Sequence, residues 1–271
     1  TAMFKITDDY GDSWEGMPES FDFYYVPDAV FDDILETFPT YDMNECTGEA
    51  TLIDGYFSWY EFDMRVDNEG NPHIVMSITG ESESYAHMLE GRTGFYHLTI
   101  DRDNLNNPGA VNTPTGWNWS YIPIPVNNSF AWSNLNGSSY TFGTLCQLSI
   151  SYDDPNVIYA VANAANNGEM AAEHDQDGDG IEDDPCGIQT HPWQLYPEWS
   201  EDVWVAKSLD NGSTWSSVVN VTNTPRAGTE DDCAPEETFV HTAHWTDEDN
   251  GVYMLYQQPN WGFNELGSPN A

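Results

Sequence analysis

Apolar and polar residues alternate along most of this chain in short runs, which end at clusters of Asn, Asp, Gly and Pro. Alternation with a period of two is typical of strands that bury one face, and such clusters are typical of tight turns. Three pairs of runs therefore predict hairpins, at residues 57–79, 145–164 and 238–257. One stretch, residues 27–38, instead repeats its apolar residues three and four positions apart, which predicts a helix.

A strand running into a turn follows the first two hairpins, at residues 94–104 and 202–215, and the chain opens with the same unit. Another alternating run follows each turn, at residues 20–26, 117–126 and 216–222. The repeated order is hairpin, strand, turn, strand. It predicts an all-β fold of four-stranded antiparallel sheets, which are the blades of a β-propeller.

Two of these turns share an octapeptide pattern of hydroxyl, Asp, Gly, hydroxyl and Trp. Its members are Thr7, Asp9, Gly11, Ser13 and Trp14 in TDDYGDSW (residues 7–14), and Ser208, Asp210, Gly212, Thr214 and Trp215 in SLDNGSTW (residues 208–215). A short Asp side chain accepts N–H bonds across a turn, Gly permits a positive φ, and Trp can cover the apolar edge of a sheet. A third turn fits through Thr99 and Asp101, but Asp103 stands where Gly is expected.

The octapeptide resembles the Asp box, or BNR repeat, of sialidase-like β-propellers. The resemblance implies that the boxes lie at blade corners on the rim, away from the central face where sugars bind. Such boxes occur in sialidases, other glycosidases, sorting receptors, assembly factors and adhesins, so they imply a structural role rather than catalysis.

The chain is expected to be a single propeller domain or segment over residues 1–271. Its blade units are residues 51–130, residues 140–225, and residues 1–50 joined head to tail with 235–258. Three blades are too few for a closed propeller, for which about four is the minimum. We therefore expect either a part of a larger propeller or missing strands that a neighbouring molecule supplies.

Composition narrows the environment and the partners. With 46 acidic and 6 basic residues the formal net charge is −40, which repels nucleic acid and anionic membranes. Such a surface suits a marine or salt-adapted protein, because salt near 1 M shortens the electrostatic screening length to about 3 Å and so weakens the self-repulsion. The acidic surface can also gather cations. The 11 Trp, 15 Tyr and 12 Phe supply a core and argue against disorder. No apolar run predicts a membrane span, and the start TAMFKITDDYG predicts a mature or excised piece rather than a signal peptide.

An acidic loop, HDQDGDGIEDDPCG at residues 174–187, carries the clearest metal-binding pattern. Its candidate Ca²⁺ ligands are Asp175, Asp177, Asp179, Ile181 through its backbone, Asp183 and Asp184. Alternating carboxylates with Gly after the third Asp can turn several oxygens toward one ion, and Ca²⁺ takes six to eight of them. The loop resembles an EF-hand start without its final Glu, and more closely the calcium repeats of thrombospondin type 3. It predicts a structural calcium site in an insert over residues 165–200, with a merely solvated loop as the alternative.

The cysteines and sequons indicate an oxidising, exported setting. Because Cys46, Cys146, Cys186 and Cys233 form no C-x-x-C pair, two disulfides are expected rather than a zinc site. Three pairings are possible, and Cys46–Cys146 with Cys186–Cys233 is preferred. Candidate glycosylation sites are Asn118, Asn127, Asn136, Asn211 and Asn220.

No catalytic set can be assigned from the residues. Sialidases that resemble this fold use an arginine triad, a Tyr nucleophile paired with Glu, and an Asp acid/base. The four arginines here are Arg65, Arg92, Arg102 and Arg226, and no Arg-Ile-Pro element accompanies them. His241 and His244 are three apart in a strand, so they predict one core and one surface histidine rather than a metal pair. Aromatic stretches at residues 117–125 and 191–199 suit blade packing, with a sugar-stacking platform as the alternative.

The sequence thus predicts a secreted or cell-surface, calcium-stabilised Asp-box β-propeller that serves binding, adhesion or surface structure. The expected partners are glycans, other copies of the chain or surface proteins, with no nucleic acid and no membrane insertion. The alternative is a sialidase-type propeller glycosidase acting on extracellular glycans, whose catalytic residues lie partly outside this segment.

Overall fold

The computed structural model describes residues 3–15, 23–43, 48–82, 86–87, 92–124, 146–165, 201–223, 238–247 and 249–257. The described part of the chain is mostly β, with 46% strand and 12% helix, and all of its strand pairs are antiparallel. This confirms the all-β prediction. The described strands form several separate sheets, and no closed ring is shown among them.

Fifteen strands and three short helices are described in chain order. The strands are β1 Met3–Phe4, β2 Tyr24–Tyr25, β3 Tyr41–Met43, β4 Ala50–Leu52, β5 Gly55–Val66, β6 Pro72–Glu81, β7 Ala86–His87, β8 Gly94–Ile100, β9 Trp117–Ile122, β10 Cys146–Ile150, β11 Ile158–Ala165, β12 Glu201–Ser208, β13 Val219–Asn220, β14 Thr238–Thr242 and β15 Met254–Gln257. The helices are α1 Asp28–Leu35, α2 Arg102–Leu105 and α3 Pro108–Val111, and a 3-10 turn follows at Pro114–Gly116.

Two sheets contain most of the described strand residues. In the first sheet the order is β5-β6-β8-β9, with β7 added on β6, and in the second it is β10-β11-β12-β13. An N-terminal pair (β1 with β2), a C-terminal pair (β14 with β15) and the pair β3 with β4 stand separately. The three predicted hairpins are confirmed as β5–β6, β10–β11 and β14–β15.

The sheets stack face to face in chain order. One apolar cluster, with Phe4 and Tyr24, joins the N-terminal pair and α1 to one face of the first sheet. A second cluster lies between the first and second sheets and includes Val75 and Leu148. A third, with Val240, joins the second sheet to the C-terminal pair. As a result β6 is buried on both faces, and the two incomplete strand pairs lie at opposite ends of the stack.

Helix α1 falls inside the predicted residues 27–38. Pro27 precedes it in extended conformation, and Asp28 places a negative charge in its first turn, which favours the helix dipole. Val30, Phe31 and Ile34 form its buried face, and the Phe31 ring stacks on Tyr56 of β5 at 4.7 Å between ring centroids. The helix therefore covers the outer face of the first sheet.

The first strands of the three hairpins lie side by side. The Leu148 amide on β10 donates to Asp63 Oδ2 on β5 at 3.1 Å. Farther along the same edge, β10 exchanges backbone bonds with the segment that follows β14: the Ile150 amide donates to the His244 carbonyl and the Thr246 amide to the Ile150 carbonyl. Strands β5, β10 and β14 thus meet, while the last strand of each complete sheet, β9 or β13, lies at the opposite edge.

The head-to-tail blade of residues 1–50 with 235–258 is not assembled by the described strands. Strand β1 pairs with β2, and β14 pairs with β15, in two different sheets. That blade stays a prediction.

Candidate functional site

The two octapeptides close the same set of hydrogen bonds. In each, the first hydroxyl donates to the Asp and accepts from the Gly amide, while the last hydroxyl residue donates both its amide and its side chain to the Asp. The distances are 2.8, 2.8, 2.8 and 2.7 Å in residues 7–14, and 2.8, 2.8, 2.8 and 2.6 Å in residues 208–215. A pair of left-handed residues makes each bend: Tyr10 and Gly11 in one, Asn211 and Gly212 in the other.

These bonds hold both carboxylates in the charged form. Bonds from the Ser13 hydroxyl and amide and from the Thr7 hydroxyl lower the pKa of Asp9 to about 2. Bonds from the Thr214 hydroxyl and amide lower the pKa of Asp210 in the same way. Since both oxygens of each carboxylate accept bonds from their own loop, neither Asp is arranged as an acid or a base. The geometry is that of a structural turn.

The surroundings of the two octapeptides differ. Gly212 lies directly against the ring of His97 on β8, where an added Cβ would stand 2.2 Å from a ring carbon. The indole N–H of Trp215 donates to the Ser120 hydroxyl at 2.8 Å, and its ring packs edge-on against His97. Trp14, the equivalent residue of the first octapeptide, is 54% exposed. Among the described residues, the second turn therefore packs its Gly and Trp into the interface between sheets, whereas the Trp of the first turn is largely exposed.

That interface contains a buried polar chain that the sequence reasoning missed. His73 on β6 and His97 on β8 are both buried, and their ring nitrogens are 2.9 Å apart in a hydrogen bond. The other ring nitrogen of His73 lies 3.4 Å from Asp67 Oδ2. The available signal was the placement of both histidines inside alternating strand runs, which puts them on one face of paired strands.

Burial and hydrogen bonds shift the pKa values of His97 and Asp67 in this buried group of side chains. Burial, with the neighbouring His73, lowers the pKa of His97 to about 3, while a bond to the Gly212 backbone acts in the opposite direction. His97 contacts the Gly212 backbone through one hydrogen bond and a ring nitrogen of His73 through another. Burial alone would raise the pKa of Asp67, but bonds from His73 and from the Asn71 amide and side chain bring it below its ordinary value.

Asp67 also shapes the first hairpin turn, and Asp247 repeats its role in the third. Asp67 Oδ1 accepts the amides of Glu69 and Asn71, as Asp247 Oδ1 accepts those of residues 249 and 251. The Gly251 amide is the main cause that lowers the pKa of Asp247. These Asp residues are turn-forming acceptors like Asp9 and Asp210.

The third turn, assigned to Thr99 and Asp101, is one residue out of register with the octapeptides. Ile158 pairs with Ser208 in the second sheet, and the matching last pairs of the first sheet are Val66–Pro72 and Ile100–Trp117. Ile100 therefore occupies the place of Ser208. Thr99 faces the opposite way and donates to the Pro72 carbonyl at 2.8 Å. Helices α2 and α3 replace the octapeptide loop at this corner.

Arg65 and Arg102 are both paired with carboxylates. Arg65 contacts Asp63 at 2.8 Å on the same strand, and Arg102 binds both oxygens of Asp8 in the first octapeptide at 2.9 and 2.7 Å. The two pairs lie on different elements, so these two arginines do not form a joint carboxylate-binding site. Arg92 precedes β8, and Arg226 lies outside the described residues.

Neither His241 nor His244 is buried, so the expected core histidine is wrong. His241 is exposed and lies 3.2 Å from Gln147, and His244 is half-buried and contacts the Val66 carbonyl at 2.8 Å. The reason is that β14 ends at Thr242, so strand alternation does not extend to residue 244. Among the described residues no group of three or more His, Cys, Asp or Glu side chains could hold a metal ion.

Several predicted sites fall on residues outside those described. These are the calcium ligands Asp175, Asp177, Asp179, Ile181, Asp183 and Asp184, the cysteines Cys46, Cys186 and Cys233, and the sequons at Asn127 and Asn136. Cys146 is described: it is a buried free thiol, and burial raises its pKa well above the ordinary value. The place of Cys146 in the apolar cluster between the sheets accounts for its burial. The preferred Cys46–Cys146 bond stays a prediction, because Cys46 is not among the described residues.

The three remaining sequons differ in access. Asn118 is exposed on β9. Asn211 is half-buried inside the second octapeptide, where its side-chain oxygen is buried. Asn220 is half-buried and donates to Asp202 at 2.6 Å. Asn118 is thus the most accessible of the three to a modifying enzyme.

None of the helices in the described ranges has the length and apolar character needed to cross a membrane. Comparison of the chain with protein-family models and with curated proteins gave no match in either case.

Proposed function

We propose that this chain forms part of a secreted or cell-surface β-propeller of the Asp-box kind, which serves binding, adhesion or surface structure. The observation that carries the proposal is the face-to-face stack of antiparallel sheets whose first strands, β5, β10 and β14, lie side by side. A propeller places the first strand of each four-stranded blade around a central axis. The contacts among β5, β10 and β14 support the proposal for this reason.

Binding fits the described side chains better than catalysis. Where the first strands meet, Asp63 pairs with Arg65 and accepts from the Leu148 amide, while Gln147 lies within hydrogen-bond distance of His241. These polar groups hold strands together and are not arranged as an acid and a base. The charge of −40 favours solubility in salt-containing surroundings and disfavours binding to polyanions.

Calcium is proposed as the structural cofactor, held by the acidic loop at residues 174–187 in the connection between β11 and β12. Carboxylates brought together without a cation repel one another, so Ca²⁺ would be needed to order them. Limited proteolysis with Ca²⁺ and with a chelator tests this role. We expect cleavage within residues 165–200 to accelerate on chelation, and equal rates in the two conditions would remove the cofactor from the proposal.

The function is tested by measuring binding and turnover on the same preparation. The purified protein is applied to a panel of extracellular polysaccharides and surface proteins in 1 M NaCl with Ca²⁺, and incubated separately with a fluorogenic sialoside. We expect saturable binding and no release of fluorophore.

Arg65→Gln and Arg102→Gln form a matched pair for this test, because each removes one arginine from an Asp partner. Hydrolysis of the sialoside by the unmodified protein, lost in Arg65→Gln and kept in Arg102→Gln, would replace the proposal with the glycosidase alternative.

A further inference from the structure

We propose that Asn211 is a site of spontaneous deamidation, and that the Ser208 hydroxyl blocks the reaction in the folded protein by holding the Gly212 amide. Deamidation would make an opening of the second octapeptide irreversible. This chemistry is independent of the proposed function, so binding and deamidation can each fail without the other.

An Asn followed by a Gly carries the reacting groups for deamidation in its own backbone. The Gly212 nitrogen, once it has lost its proton to water or hydroxide, can attack Cγ of the Asn211 side chain. The side-chain nitrogen takes up a proton from water and leaves as ammonia, and a cyclic succinimide remains. Water then opens this ring at one of its two carbonyls, which gives Asp or isoaspartate at residue 211. Gly favours the attack because it has no Cβ to crowd the amide nitrogen.

The folded turn prevents the first step of this reaction. The Gly212 amide donates to Ser208 Oγ at 2.8 Å in a buried hydrogen bond, so its proton is shielded from base in the solvent. The Gly212 carbonyl accepts from the Ser120 hydroxyl of the first sheet, and the Asn211 amide donates to the Asn156 carbonyl at 3.1 Å. Buried, hydrogen-bonded amides react with solvent only after local opening. Deamidation at Asn211 therefore requires the turn to open.

The side chain of Asn211 is held less firmly than the Gly212 amide. Its Oδ1 is buried and has no hydrogen-bond partner among the described residues, which is an unfavourable state for a polar atom. Its backbone is left-handed, with φ 58°, a conformation that costs free energy in a residue with a Cβ. Protection from deamidation thus depends on the Gly212 amide, and through it on Ser208.

The products of the reaction would prevent the turn from closing again. Isoaspartate lengthens the backbone by one carbon and would displace Gly212, where an added Cβ would already stand 2.2 Å from a ring carbon of His97. Asp at residue 211 would place a carboxylate where an uncharged oxygen is now buried, at a cost in desolvation. Either product would weaken the contact between the second octapeptide and the first sheet.

A second Asn-Gly pair, Asn250 and Gly251 in the third hairpin turn, gives an internal reference. Asn250 has nearly the same left-handed backbone, with φ 59°, but the Gly251 amide donates to Oδ1 of Asp247 at 2.5 Å and not to a hydroxyl. Ser208 takes no part in this bond. A changed rate at Asn250 in a Ser208 variant would therefore report unfolding beyond the second octapeptide.

Peptide mapping by mass spectrometry, after incubation of the protein at mildly alkaline pH, measures Asp and isoaspartate at both sites in one sample. Ser208→Ala should raise the rate at Asn211 by about tenfold, because the Gly212 amide loses its acceptor, and should leave the rate at Asn250 unchanged.

Ser216→Ala is the matched control for this substitution. The Ser216 hydroxyl accepts from the Lys207 amide rather than from Gly212, so both rates should stay as they are in the unmodified protein. Equal rates at Asn211 in the unmodified protein and in Ser208→Ala would overturn the proposal. An equal rise at both Asn sites would overturn it too, since the hydroxyl would then not protect Asn211 specifically.

The unmodified protein provides a test that needs no variant. Hydrogen exchange of the Gly212 amide and deamidation at Asn211 are measured in urea below the unfolding transition. The two rates should rise in proportion, because both require the same opening of the turn. Deamidation that stays constant while exchange accelerates would overturn the proposal.

Discussion

The octapeptides at residues 7–14 and 208–215 close the same hydrogen bonds but stand in different surroundings. Gly212 and Trp215 of the second press into the interface with the first sheet, against His97 and Ser120. Near Gly11 of the first, an added Cβ would stand 3.6 Å from the ring of Trp14, an ordinary contact distance. The comparison teaches that the pattern encodes a turn, and that neighbouring elements decide how strongly the fold depends on it.

The largest effect that would sharpen this comparison is expected from Gly212→Ala. The methyl group would stand 2.2 and 2.3 Å from ring atoms of His97 in a residue with φ +79°, so strain and displacement of a buried ring add together. We expect a loss of about 4 kcal/mol in the free energy of unfolding, measured by urea titration.

Gly11→Ala is the matched control for this substitution. It has the same left-handed requirement, φ +95°, without the clash. The expected loss is about 1 kcal/mol, which is the cost of the backbone conformation alone. Equal losses at the two positions would show that the interface adds nothing to the turn.

Acid should weaken the second turn's interface through His97. The pKa of this buried ring is about 3 against 6.5 in an unfolded chain, so the unfolded state takes up the proton first as pH falls. The contribution of neutral His97 to the free energy of unfolding is therefore fully present above pH 6.5. It is lost as pH falls toward 3, and the loss is about 3 kcal/mol near pH 4. Asp67 and His73 are the titratable groups that follow this ring along the buried chain.

His97→Gln against His241→Gln tests this acid dependence, since His241 is exposed. The loss of unfolding free energy between pH 7 and 4, measured by urea titration, should be smaller by about 3 kcal/mol in the first variant and unchanged in the second. The same slope in both would place the acid sensitivity elsewhere.

Substituting the tryptophans of the two turns should give a smaller difference in the free energy of unfolding than substituting their glycines. Trp215→Ala removes packing against His97 and leaves the Ser120 hydroxyl without its donor, so we expect a loss of about 2 kcal/mol. Trp14→Ala should change the free energy of unfolding by less than about 0.5 kcal/mol, because the residue is mostly exposed. Thermal unfolding at low salt measures both, and a comparable loss for Trp14 would mean that this face is already covered.

Local patterns in the sequence were enough to predict the turns and hairpins. Alternation gave β5–β6, β10–β11 and β14–β15, and apolar spacing gave α1, because these elements depend on residues close in the chain. The alignment of the third turn with the octapeptide pattern at Thr99 was wrong for a physical reason. A shift of one residue between Thr99 and Ile100 reverses every side chain across a sheet, and only strand pairing fixes that register.

The buried histidine pair could not be predicted in the same way. His73 and His97 are 24 residues apart, and nothing local to either indicates the other. Their partners, Asp67 and Gly212, come from a hairpin turn and from the next sheet's octapeptide, so the site exists only after the sheets stack. Arg102 likewise reaches Asp8 across 94 residues.

The smallest effect concerns the bonds that the two turns share. Ser13→Ala removes the hydroxyl that is the main cause of the low pKa of Asp9, so that pKa should rise from about 2 toward its ordinary value of 3.8. The folded pKa is depressed, so this carboxylate adds stability above pH 3.8, and that contribution disappears as pH falls through about 2. Carboxyl-carbon NMR titration follows Asp9 directly, with Thr214→Ala as the control, because it alters the same bond in the other octapeptide and should leave Asp9 unmoved. An unchanged Asp9 titration in Ser13→Ala would mean that the remaining bonds to Asp9, from the backbone amide of residue 13 and from the Thr7 hydroxyl, keep its pKa low by themselves. The exposed turn would then depend on its backbone geometry more than on the Ser13 hydroxyl.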